Sequence, residues 1–271
     1  MRKRRLLCYR DGDASAVLRM VVFETVLTSA RSDLDEALAA LYPAFAAYPS
    51  PETMHGSPIR DLSAILASLH SAPLRELEVD ALEYYAATAL TTVGAPDDFK
   101  HFLPRILHFS AIAAPQYGFD PEIVASKLRL CEWQIWPVTE RTAVANLFYS
   151  AWAYARLQHT DIQIRSWNWV RAVATIDLQF EACLALWVKL PIGNAMLQLA
   201  EGGREMKGLQ RGNGFWAEVP ADRRQVILDW MAGEAVEAVL VEAIDLIEAT
   251  DRWQIDRMLD DIEELRRSRI S

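Results

Sequence analysis

The chain has 271 residues, 52% of them hydrophobic and 24% charged, a composition able to fill the core of one large or two small globular domains. Its formal net charge of -9 excludes a broad basic surface for nucleic acid; the terminal cluster Arg2-Lys3-Arg4-Arg5 reads as a solvated chain end. Cys8, Cys131 and Cys183 form no CxxC pair and no disulfide framework, and the apolar run after Arg5 is too short for a signal peptide, so the expected compartment is the cytoplasm.

Residues 1–30 read as an N-terminal extension. Tyr9-Arg10-Asp11-Gly12-Asp13 suggests a turn, with Leu6-Leu7 and Val17–Phe23 able to pair as a short β-hairpin; Val21-Val22-Phe23 could equally open a helix. From residue 31 to the end the pattern is that of a single all-helical domain. Leu34, Leu38, Leu41 and Phe45 recur at steps of three and four, with Ser32 or Asp33 placed to cap. Pro49, Pro51 and Pro58 mark a loop. Leu62, Ile65, Leu66 and Leu69 form the next stripe, and Val79, Leu82, Tyr85 and Ala86 another.

The segment Asp97-Asp98-Phe99-Lys100-His101-Phe102-Leu103-Pro104-Arg105-Ile106-Leu107-His108 is the most informative in the chain. Phe99, Phe102, Leu103, Ile106 and Leu107 share a core-facing stripe, and the two acids complement a helix N-terminus. Asp97, His101, Arg105 and His108 fall on the opposite face. Pro104 cannot donate to the Lys100 carbonyl, which predicts a kink or a fresh helix start. In one reading Asp97 orients His101 while Arg105 receives an anion; in the other the face is merely solvated and laced with ion pairs.

Asp120-Pro121-Glu122 starts a further helix, and Thr139 a long one carrying Val144, Leu147, Phe148, Ala151, Trp152 and Ala155. Helices near Trp169–Ile176 and Leu178–Leu190 follow. The glycines between 191 and 219 predict a flexible stretch. Pro220-Ala221-Asp222 opens the next helix, and two acidic helices, Glu234–Glu248 and Asp251–Arg267, close the chain. Segment 235–247 is too charged and too short to span a bilayer. Of the nine tryptophans, Trp167 and Trp169 stand two apart on one helix and so point to different sides; either could anchor a partner, or both could lie between two layers.

Tyr42-Pro43, Pro73-Leu74-Arg75 and the run Asp98–Arg105 resemble a family of uncharacterised bacterial all-helical proteins that share a D-F-K-H-F-L-P-R motif, over roughly Leu34 to Trp133. The family's loop matching Pro51–Pro58 often carries several cysteines. Here that loop has none, and His55 alone cannot replace thiolate ligands, so any metal the loop holds in relatives is expected to be lost; the resemblance implies an all-helical fold and transfers no activity.

No HExxH, GxSxG, Walker loop or GxGxxG is present, and Glu122, Glu132 and Glu140 fall in different elements. The expectation is an all-α fold, an antiparallel helix bundle or an irregular stack of helical hairpins. The expected function is non-enzymatic: an adaptor- or immunity-like protein without cofactor, metal, nucleic acid or membrane, binding a basic protein partner. The alternative is an enzyme or small-ligand-binding protein with a polar pocket beside Asp97, His101, Arg105 and His108.

Overall fold

Amphipathic stripes at three- and four-residue spacing bury themselves against one another as packed helices. A computed structural model describes residues 14–112, 118–162 and 164–269. In these the helices are α1 (Ala14–Ala44), α2 (Leu62–Leu69), α3 (Val79–Thr88), α4 (Pro96–Ile112), α5 (Pro121–Leu130), α6 (Val138–Ala155) and α7 (Ser166–Thr175). They continue as α8 (Glu181–Lys189), α9 (Gly193–Ala200), α10 (Gly202–Arg211), α11 (Ala221–Met231), α12 (Glu234–Ala243) and α13 (Arg252–Ser268). Among the described residues β pairing is limited to isolated bridges from Val93 to Gly56 and Ala89. The fold is all-α.

The expected hairpin strand Val17–Phe23 is helical, and its proposed partner Leu6-Leu7 lies outside the described residues. The stripe Phe23, Val26, Leu27, Ala30 and Leu34 continues the later spacing backward, so packing overrides the strand preference of the valines. α1 runs unbroken through residues 30 and 31. Ser32 therefore lies inside the helix and caps nothing; its hydroxyl stands 3.5 Å from the Glu36 carboxylate.

α1 packs most extensively on α6. Arg31 lies over the Tyr154 ring while Tyr48, just beyond α1, bonds Glu140, so the two helices run antiparallel. At the centre, α7 contacts α5, α6 and α9, and nearly all its side chains are buried. Trp167 stacks on Trp187 (ring centroids 5.1 Å apart), Trp187 on Trp230 (5.9 Å), and Trp152 meets Trp187 edge-on (5.3 Å). This is the geometry aromatic pairs prefer.

Residues 191–219, expected to be flexible, are instead α9, α10 and a 3-10 turn at Gly214–Glu218. Glycine serves closeness there. A Cβ on Gly202 would stand 2.5 Å from Trp167 Cζ2, and one on Gly208 2.9 Å from Trp216 Cδ1. The indoles occupy the space a side chain would need, so tertiary packing overrides glycine's poor helix propensity.

Candidate functional site

α4 opens with Asp97 and Asp98 in its first turn, where Asp98 Oδ2 accepts from the Ala95 N–H at 2.8 Å. Phe99, Phe102, Leu103, Ile106 and Leu107 are buried as their spacing predicts. α4 continues through Pro104, so the proline does not begin a new helix.

Lys100 falls on the core side of that stripe, one residue after Phe99, and is only 7% exposed. Its Nζ donates to Tyr48 Oη (2.8 Å) and to Glu140 Oε2 (2.9 Å), and Tyr48 Oη donates to Glu140 Oε1 (2.7 Å). The Trp136 ring covers the ammonium at 4.2 Å. Burial alone would lower the lysine's pKa, but the bonds to Tyr48 and Glu140 reverse this and raise it. The three side chains tie the end of α1 to α4 and to the start of α6. The charged groups satisfy one another, so the triad is a brace with no free nucleophile.

The predicted polar face is divided among separate tasks. His101 Nδ1 lies 2.9 Å from the Tyr48 carbonyl, which only accepts, so Nδ1 carries the hydrogen. Arg105 Nε donates to Leu77 O (2.8 Å), and its guanidinium covers the Phe109 ring at 4.3 Å. His108 meets Phe109 edge-on; burial, reinforced by Arg105 and Arg31, lowers its pKa. Asp97 is exposed, and among the described residues no hydrogen bond joins it to His101. A cleft of about 420 Å³ opens between α4 and the turn after α2, and of the four predicted residues only His101 lines it. Arg105 and His108 do not line this cleft; they are held instead against Leu77 O and the Phe109 ring.

Arg75 covers the Tyr42 ring at 3.7 Å, and Leu74 lines the cleft with His101 and Phe102. The three sequence stretches Tyr42-Pro43, Pro73-Leu74-Arg75 and Asp98–Arg105 thus meet around one part of the fold.

Trp167 and Trp169 are buried, at 1% and 2% exposure, and neither is an accessible anchor. Trp167 Nε1 donates to Gln198 O at 3.0 Å, and Trp169 packs edge-on against Phe148. α7 is enclosed on both sides, which lets residues two apart bury together.

The glutamates do not converge. Glu140 belongs to the Lys100 brace, and Glu132 is exposed in left-handed backbone. Glu122 bonds Arg171 at 2.7 Å, and Arg171 also bonds Asn168 and Glu205; burial raises the Glu122 pKa against the pull of Arg171. Lys127, buried and bonded to Ala87 O (3.0 Å) and Ala89 O (2.8 Å), is lowered by burial to about 8. Asp120 makes no side-chain capping bond at α5, where Pro121 supplies the start.

A different surface gathers at the C-terminal end of the chain. Residues 234–269 hold eleven carboxylates against five arginines. Glu237 pairs with Arg266 and Glu263 with Arg267, but Glu234, Glu242, Glu248, Asp256, Asp260 and Glu264 are exposed with no ion-pair partner among the described residues. Trp253, at the start of α13, is 51% exposed, and Val241 on α12 is also exposed. The acidity of this surface was readable in sequence. Trp253 was also within reach, since it stands two residues before Ile255 and so falls on the side of α13 away from the buried stripe of Ile255, Met258, Ile262 and Leu265.

Among the described residues no group of His, Cys, Asp or Glu side chains could hold a metal ion, and no helix is long and apolar enough to cross a membrane. No protein-family model, curated protein or solved structure matches the chain.

Proposed function

We propose that this is a non-enzymatic intracellular protein that acts by binding a basic protein partner, in the manner of an adaptor or immunity protein, through the surface of α12 and α13. The observation that carries this reading is Trp253, a half-exposed indole at the start of α13 in a segment rich in exposed carboxylates. Tryptophan is the side chain most enriched at the energetic centre of protein interfaces, and an acidic surround steers a basic partner toward it. The α4 polar groups support the same reading by being spent on intramolecular bonds.

The test places a photocrosslinking side chain at Ala249, beside this surface, and irradiates cells of the native host. One basic protein should be captured, and both W253A and the pair E242K/E248K should abolish its capture. Capture of the same proteins from a control position at Ile59, an exposed residue in the loop between α1 and α2, would refute the assignment.

A further inference from the structure

Apart from that docking surface, the beginning of α1 presents chemistry of its own. Among the described residues, Phe23 is the first side chain of α1 that packs against the core. Just before it, Val17, Leu18, Met20, Val21 and Val22 are each between 37% and 65% exposed. At about 100° of turn per residue, these five spread over roughly 200° of the helix perimeter. A helix paired with a second copy of itself buries only a narrow apolar stripe and would leave part of this arc wet. A fluid apolar phase covers all of it.

The charge of the chain divides at the same place. Residues 1–23 hold six of the 28 basic side chains and two of the 37 acidic ones, a net +4, which leaves -13 for the remainder. Four of the six are consecutive, Arg2 to Arg5, and Leu6 and Leu7 follow them. A basic run beside an apolar helix is drawn to negatively charged lipid, each Lys or Arg adding roughly fivefold in affinity. The acidic remainder is repelled by the same surface, so the chain meets it by this end.

We propose that the start of α1, Val17–Val22, docks on an anionic phospholipid surface. Its apolar side chains enter the headgroup layer, and the basic residues that precede it in sequence bind the lipid phosphates and carboxylates. The docking is peripheral, since no described helix is long and apolar enough to cross a bilayer. It departs from the expectation of a protein without membrane contact, and it does not depend on the α12–α13 surface.

The full-length protein is floated through a sucrose gradient with vesicles of phosphatidylcholine, alone or with about 30% phosphatidylserine. It should rise with the anionic vesicles and bind the neutral ones at least about tenfold more weakly. R2Q/K3Q/R4Q/R5Q should weaken binding to the anionic vesicles at least about tenfold. L18S/V21S alters only exposed side chains; it should weaken binding about tenfold and keep the parent's melting temperature. Failure to float, equal binding to both vesicles, or unchanged binding in either variant would overturn the proposal. So would a lower melting temperature in L18S/V21S, which would show these side chains packed within the molecule. A dimer in light scattering that L18S/V21S converts to monomer would overturn it too, by assigning the same face to a second copy.

Discussion

Replacing Lys100 with methionine tests the brace. Lys100 is 7% exposed and Glu140 4%, so the substitution strands a carboxylate away from water with only the Tyr48 hydroxyl to bond it. Removing one partner of a buried ion pair costs about 3–5 kcal/mol. The remaining tyrosine bond places K100M near the lower end, and the lost cation–π contact with Trp136 adds about 1 kcal/mol. For a chain of this size each kcal/mol moves the melting temperature by about 2–4 °C, so a loss of about 4 kcal/mol should make K100M melt roughly 8–16 °C below the parent. In K100M/E140L both charges are gone and the apolar side chains fill similar volume, so stability should return to within about 1 kcal/mol of the parent. Urea unfolding followed by circular dichroism gives both values. A loss below about 1 kcal/mol in K100M would mean that water reaches the pair, and a double variant as unstable as the single would show that charge stranding is not the cause.

H101A/R105A removes the bonds to the Tyr48 and Leu77 carbonyls, each worth about 1–3 kcal/mol, and should lower the melting temperature by several degrees. Lys127 titrates near pH 8 in the folded chain against an ordinary value of 10.5, so between these the native state binds fewer protons than the unfolded one. Its burial penalty is complete below about pH 8 and is relieved as pH rises toward 10.5; K127M should abolish that rise, which urea midpoints at about pH 7 and about pH 10 would reveal. G202A should destabilise by about 1–3 kcal/mol although alanine is the better helix former, because its methyl group would meet Trp167; a stabilised variant would disprove the contact. Burial pushes the Cys131 and Cys183 thiols up to about 11 and about 12, so in a C8S background iodoacetamide at about pH 8 should label neither until denaturant is added, as mass spectrometry would show.

The helical periodicity of Leu34–Phe45 and of α4 was plain in the chain because each stripe buries one face against a neighbour, and the spacing records that face. Lys100 was also within reach: it occupies a position where the stripe calls for an apolar residue, and a charge there signals a buried partner. The identity of that partner was not legible, because Tyr48 and Glu140 lie 52 and 40 residues away in sequence. His101, Arg105 and His108 looked like a shared surface because sequence gives only the helix face; the backbone carbonyls that claim two of them belong to other turns. The helix near Gly202 was hidden for a related reason, since glycine reports flexibility or close approach, and only the position of Trp167 tells which.

The contact of Trp187 with Trp152, Trp167 and Trp230 joins α6, α7, α8 and α11 into one optical unit. Excitation absorbed by any of the four rings can migrate to its neighbours before emission, so the light given off belongs to the group. Loosening any one of these helices would change the colour and yield of the whole signal, providing a built-in reporter of the core that needs no added dye.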